Sequence, residues 1–180
     1  MTGSFWLMAL ALVMATNPAR VHGRLPTRDV AAAGALVAAG GYIGLALVAG
    51  VTLDAIDVSA PTMRVAAGLV LIIAGGRDVL VGPPAAEPAL PGWGAALVPV
   101  ALPMMARPHV GVLAVSVGAS DGVGPVVVGG VLLVSVVAGL AVLGGDRAVA
   151  GRLVGWLAVA AAVGSMALGV ALAVDGVVQV

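Results

Sequence analysis

The sequence contains no cysteine and no lysine, and only 9% of its residues are charged. Without cysteine the chain has no disulfide, no thiolate metal site and no cysteine nucleophile. Soluble domains are about one quarter charged, so this composition excludes an ordinary soluble fold. The eight basic residues, all arginine, are balanced by eight acidic residues. That balance argues against a nucleic-acid ligand and against a polybasic lipid anchor.

The sequence is rich in long apolar runs, since 62% of the 180 residues are hydrophobic. A transmembrane helix needs about 20 apolar residues. Six such segments can be recognised, at residues 4–19, 30–52, 62–82, 93–119, 123–144 and 152–174. They predict an all-α membrane protein with six transmembrane helices surrounded by membrane lipid. The first segment lacks a basic region before it, so we expect a retained helix and not a cleaved signal peptide.

A proline-rich stretch divides the segments into two groups of three. The sequence therefore predicts a first three-helix repeat at residues 1–82, a linker at 83–92 and a second repeat at 93–180, within one membrane domain. Because three is an odd number, the second half would enter the membrane in the opposite direction, as a 3+3 inverted-topology repeat. Asn17-Pro18 aligns with Arg107-Pro108 at an offset of 90 residues. The alternative is coincidence in a chain with eleven prolines.

The arginines indicate the orientation of the segments. The second loop and its flanks hold only Arg64, whereas the first, third and fifth loops hold Arg20, Arg24, Arg28, Arg77, Arg147 and Arg152. Positive residues are retained on the cytoplasmic side. We therefore expect both termini to lie outside.

Two of the segments contain proline breaks, so the first and fourth helices are predicted to be discontinuous. The first ends in "NPAR" (17–20), and the fourth contains "VPVALPMMARPHVG" (98–111). Backbone groups freed by proline within a membrane must be buried in protein or line a polar cavity. Interrupted helices in corresponding places of two halves are typical of a transporter binding site. The predicted solute-binding residues are Asn17, Pro18, Arg107, Pro108 and His109.

Arg107 lies near the middle of the fourth segment, where a charge costs at least about 2.5 kcal/mol. It therefore needs a carboxylate, freed carbonyl groups or a hydrated cavity. Asp78 and Asp121 are the candidate partners, and either one is also a candidate for carrying a coupling proton. The alternatives are that Arg107 extends to the membrane surface and that each acid is simply an interfacial carboxylate.

Taken together, these motifs resemble the MarC family of small six-helix integral membrane proteins, grouped with the LysE-type transporter superfamily. The resemblance lies in "NPAR", "PTMRVAAGLVLIIAGGRDVLVG" (61–82), "VPVALPMMARPHVG" and "ALAVDGV" (171–177). It implies an inverted repeat, a cell inner (plasma) membrane location and transport of small solutes. The positions that carry over are Asn17, Pro18, Arg64, Asp78, Pro99, Pro103, Pro108 and Asp175. Arg107 and His109 depart from the small glycines usual in the family, which suggests a different, anionic solute or a member that no longer transports.

The predicted function is therefore a transporter or exporter of an unidentified small solute. The alternative is a non-transporting membrane protein that acts as a partner or assembly subunit. An enzyme is not expected, because Ser120, Asp121, His109 and His22 show no catalytic spacing. No metal or cofactor is expected either, since His22 and His109 belong to different segments. His22 is interpreted as a solvated loop residue, and the oligomeric state is left open.

Overall fold

In a computed structural model of the chain, the structure describes residues 3–20, 27–81, 90–142 and 147–179. Within these ranges the chain forms helices joined by short turns, with no strand, which confirms the predicted all-α class. A segment of π-type turns, Ala96–Met105, contains Pro99 and Pro103 and is termed the proline segment. The α-helices are α1 (Gly3–Thr16), α2 (Arg28–Leu47), α3 (Ala49–Ala55), α4 (Ala60–Leu80), α5 (Pro108–Ser120), α6 (Gly124–Val142) and α7 (Arg147–Gln179).

Several of these helices have the length and hydropathy needed to cross a membrane. Among the described residues, α2, α6 and the Gly151–Gln179 part of α7 each qualify alone. Two bent pairs raise the number to as many as five: α3 with α4, bent by 102°, and the proline segment with α5, bent by 73°. These helices support an integral membrane protein. The 14-residue α1 is shorter than a full span.

The helix boundaries follow the predicted apolar segments, with two main differences. The second segment is interrupted at Val48, between α2 and α3, where the sequence contains no proline. The last segment is longer than predicted, because α7 continues to Gln179. The fourth segment is broken, as predicted, and the break falls at residues 106–107. Most of the predicted linker, at residues 83–89, lies outside the described residues.

Local chemistry explains where α4 and α5 begin. Ser59 caps α4 by accepting a hydrogen bond from the Thr62 backbone N–H at 3.3 Å, and Pro61 lies in the first turn. Pro108 is the first residue of α5. Proline is favoured there because the first helical turn needs no donor from it. Each helix therefore begins at a defined residue, which fixes the position of its charged neighbours.

The most extensive packing is between α4 and α7. A Cβ added to Gly68 would lie 2.4 Å from the Gly169 carbonyl oxygen, and one added to Gly169 would lie 2.7 Å from the Gly68 carbonyl oxygen. Only glycine allows two helix backbones to approach so closely, as is common between membrane helices. The helices enclose a core whose largest buried side chains include Leu12, Leu71, Met105, Leu113 and Leu133.

The helices have two common ends, each marked by a set of charged residues. Asp78 lies in the last turn of α4 and contacts Arg107 at the start of α5. Arg64, in the first turns of α4, contacts Asp121 after α5 and Asp175 near the end of α7. These are called the Asp78 end and the Arg64 end. Phe5 of α1 packs beside Gly124, the first residue of α6, which follows Asp121 by three positions.

Candidate functional site

The first helix ends abruptly at the predicted break. The Thr16 hydroxyl donates to the Leu12 carbonyl at 2.8 Å, and the Asn17 backbone N–H donates to the Val13 carbonyl at 3.0 Å. Asn17 has a φ of 48°, the left-handed conformation that asparagine tolerates better than most residues. One tight turn follows, in which the Arg20 backbone N–H donates to the Asn17 carbonyl at 3.1 Å. This turn directs Arg20 towards α4.

The Asn17 side chain is almost completely buried, with 1% of its surface exposed. Its Nδ2 donates to the Ala158 carbonyl of α7 at 2.9 Å. Its Oδ1 is buried and accepts no hydrogen bond from any described residue. Leaving a buried acceptor unsatisfied costs about 1–3 kcal/mol. At the end of α1, Asn17 Oδ1 is therefore an acceptor that is available to a hydrogen-bond donor.

At the second break, Tyr42 of α2 forms hydrogen bonds with two backbone groups. Its hydroxyl donates to the Met105 carbonyl and accepts the Arg107 backbone N–H at 3.1 Å. One side chain thus pairs two groups that the interruption between the proline segment and α5 leaves free. Tyr42 was not among the predicted site residues. The available signal was its type, since it is the only tyrosine of the chain and stands in an apolar helix.

Arg107 contacts one of its two predicted partners. Its Nη1 donates to Asp78 Oδ2 at 2.7 Å, and its Nε donates to the Met104 carbonyl at 3.3 Å. Arg20 donates to the other oxygen of the same carboxylate and to the Val81 carbonyl. The three side chains, termed the Asp78 cluster, are 8% (Arg20), 12% (Arg107) and 15% (Asp78) exposed. Two guanidinium groups therefore share one carboxylate in a largely dehydrated place.

His109 joins the two breaks directly. Its Nε2 lies 3.0 Å from the Ala15 carbonyl in the last turn of α1, a donor-to-acceptor contact when Nε2 carries the proton. The structure thus joins the end of α1 to the start of α5, and Arg20 after α1 and Arg107 before α5 both donate to Asp78. Of the predicted solute-binding residues, Arg107 contacts a predicted acid, His109 contacts α1 and Asn17 contacts α7.

Asp121 lies elsewhere. Its Oδ2 accepts from Arg64 Nη2 at 2.9 Å, while Arg64 Nη1 pairs with Asp175 and lies 3.4 Å from Gln179 Oε1. Arg64, Asp121 and Asp175 are termed the Arg64 cluster. Asp121 follows Arg107 along α5 by about 21 Å of helix, so Asp78, and not Asp121, is the carboxylate that Arg107 contacts.

The residues considered for catalysis are not assembled either. Ser120 Oγ lies 2.7 Å from Asp121 Oδ2, but His109 is separated from them by the length of α5, about 16 Å of helix. His22 lies outside the described residues. Within the described ranges no three histidine, aspartate or glutamate side chains are grouped as metal ligands. Comparisons with protein-family models, with curated proteins and with solved structures find no match.

Proposed function

We propose that the protein transports a small solute across the membrane, with a binding site between the broken first and fourth helices. The observation that carries this proposal is the Asp78 cluster. The end of α1 and the start of α5 each contribute an arginine to one carboxylate of α4. Arg107 Nη2, which makes no hydrogen bond with the described residues, and the unpaired Asn17 Oδ1 provide polar contacts for a solute.

The depth of the cluster supports this proposal. Arg64 and Asp78 are separated by about 21 Å along α4, which is less than the roughly 30 Å of a hydrocarbon core. Both clusters therefore cannot lie at opposite membrane surfaces. Asp175 is 48% exposed, whereas the three side chains of the Asp78 cluster are at most 15% exposed. We therefore propose that the Asp78 cluster is the one within the membrane, where charged residues are typical of solute and ion pathways.

The arrangement of the helices also supports the 3+3 inverted repeat, with six segments, that we propose. Exchanging the halves pairs α1 with the broken fourth segment, α2 with α6, and α4 with α7. The contact between α1 and α6 then corresponds to the contacts of α2 with α5 and the proline segment. The contact between α4 and α5 corresponds to the contact between α1 and α7. The polar contacts follow the same exchange, since Asn17 binds α7 and Arg107 binds α4.

We further propose that the chain is a divergent MarC-type protein of the cell inner membrane with both termini outside. The residues that carry the resemblance support this assignment. Arg64, Asp78 and Asp175 all take part in ion pairs, and Asn17 ends α1. The predicted termini are compatible with the packing of Phe5 beside Gly124 and with the position of Asp175 at the same Arg64 end.

The alternative, a partner or assembly subunit, is favoured by one feature of α7. Only 22% of its apolar span is buried within the chain. The exposed side chains include Leu153, Trp156 and Leu157. This surface suits either lipid or another membrane helix.

Solvent access to the two breaks tests the transporter proposal. The chain has no native cysteine, so Asn17→Cys and Arg107→Cys can each be labelled with a membrane-impermeant thiol reagent from either side of oriented vesicles. Transport by alternating access predicts labelling of both positions, because one half rocks against the other and opens the site.

The control is Leu133→Cys, at a core position of α6 with 0% exposure, which should resist labelling from both sides. Failure to label position 17 or 107 from either side, in variants that elute as folded protein, would exclude a hydrated pathway. That result would favour the assembly-subunit function.

A further inference from the structure

A second feature of the fourth segment is a cavity of about 420 Å³ beside the Asp78 cluster. It lies between the α2–α3 junction and the first two turns of α5. Its apolar lining includes Leu45, Leu53, Met63 and Val115, while Tyr42 and Arg107 line it near the break. Small-molecule sites have this size and this combination of many apolar groups with few polar ones.

The shape of the cavity depends on Gly111, in α5. A Cβ added there would meet Leu45 Cδ1 at 3.3 Å and no other atom outside its own surroundings within 4 Å. Leu45 is 40% exposed, and Ile56, which also lines the cavity, is 57% exposed. The cavity therefore opens outwards between α3 and α5.

Among the described residues that line the cavity, the charged one is Arg107. Arg107 uses Nη1 and Nε in hydrogen bonds, whereas Nη2 makes none with the described residues. A negative group near Arg107 would accept a charge-assisted hydrogen bond from Nη2.

We propose that this cavity binds a small amphiphilic anion, with its hydrocarbon part between α3 and α5 and its negative group at Arg107. The inference rests on the proposed function where it names the class of solute that is transported. Binding itself requires only the cavity and Arg107. A hydrocarbon body accounts for the apolar lining, which would leave a polar group without a hydrogen-bond partner.

Protection of a cysteine in the cavity tests the proposal. Thr52 lines the cavity and is exposed, and its hydroxyl donates to the carbonyl four residues earlier. Thr52→Cys would be labelled with N-ethylmaleimide in lipid nanodiscs, with octanoate as the probe and octanol as its uncharged match. The control is Ser135→Cys in α6, an exposed hydroxyl residue with the same local hydrogen bond but outside the cavity.

Octanoate should slow labelling at position 52 and leave position 135 unchanged. Octanol should require about tenfold higher concentration, as expected for the loss of one charge-assisted hydrogen bond. In the Thr52→Cys background, Arg107→Gln should reduce octanoate protection to the octanol level. Equal protection at positions 52 and 135, or equal potency of octanoate and octanol, would overturn the proposal.

A cavity-filling substitution provides the second variant. Gly111→Phe should abolish protection at position 52, because the ring would occupy the cavity and displace only the flexible end of Leu45. The matched substitution is Gly139→Phe in α6, where a Cβ meets nothing within 4 Å and protection should persist. Undiminished protection in folded Gly111→Phe protein would contradict the site. Protection without two-sided access at positions 17 and 107 would support the binding site and count against transport.

Discussion

The Asp78 cluster and the Arg64 cluster lie at opposite ends of α4 and have opposite compositions. The first places two arginines on one carboxylate, and the second places two carboxylates on one arginine. Their exposures differ in the same sense. Asp78 is 15% exposed, whereas Asp121 and Asp175 are 25% and 48% exposed. The carboxylate shared by two arginines is therefore more buried than the two carboxylates that share Arg64.

This difference indicates separate roles for the two ends. Water can screen the extra carboxylate of the Arg64 cluster, so that cluster can hold helices together without a further partner. The side chains of the Asp78 cluster are less exposed, and Arg107 Nη2 makes no hydrogen bond with the described residues. Buried charges need pairing, so we expect the Asp78 end to depend more on its ion pairs and to offer Arg107 to a bound anion.

The largest expected effect is that of Asp78→Asn. The substitution leaves Arg20 and Arg107 close together without the carboxylate that they share, and breaking a buried pair typically costs about 3–5 kcal/mol. We expect a marked loss of folded protein, measured by size-exclusion chromatography after stepwise heating in detergent. Asp54→Asn makes the same chemical change at an exposed position of α3 and should behave as the unsubstituted protein. Equal stability of the two variants would mean that the cluster contributes little.

Arg64→Gln is the corresponding substitution at the other end of α4. It leaves Asp121 and Asp175 facing each other, but both can take up water. We therefore expect a cost of about 2 kcal/mol, below the usual range for a buried pair. The same heating experiment measures it, with Arg28→Gln at the exposed start of α2 as the control. A larger loss than that of Asp78→Asn would reverse the proposed order of the two ends.

Single substitutions of the two arginines at the Asp78 end should cost less. In Arg107→Gln or Arg20→Gln, Asp78 keeps one guanidinium, so about 1–2 kcal/mol is expected for each. The double variant leaves the carboxylate buried without either arginine. Its loss of stability should therefore exceed the sum of the single losses, as is typical of residues in one network. Additive losses would show that the arginines act independently of Asp78.

The long apolar runs of the sequence predicted the helices well, because each run must be buried or face lipid along its whole length. The breaks at Asn17 and Arg107 were also predictable, since proline cannot donate a backbone hydrogen bond. The break at Val48 was not. Its surroundings, "GLALVAGV" (44–51), carry no proline or charge. The interruption depends on how α2 and α3 pack against α5, which sequence periodicity does not encode.

The partners within the site were only partly predictable. Asp121 could have been excluded as a partner of Arg107 by helix geometry, because the two residues lie at opposite ends of one short helix, about 21 Å apart. Asp78 contacts Arg107 through the packing of α4 against α5, a tertiary arrangement with no local signal. The same holds for Tyr42, whose hydroxyl reaches the break from α2. Sequence chemistry thus located the break, and only the fold determined its neighbours.

The smallest effects should come from the acids of the Arg64 cluster. Asp175→Asn should change stability by less than about 0.5 kcal/mol and Asp121→Asn by about 1 kcal/mol, since exposed ion pairs contribute little and Asp121 is the more buried. In the Arg64→Gln background the sign should reverse. There Asp121→Asn removes the repulsion between the two carboxylates and should raise the midpoint of heating in detergent. A further decrease would mean that Asp121 stabilises the fold through Ser120, whose Oγ lies 2.7 Å from it, and not through Arg64.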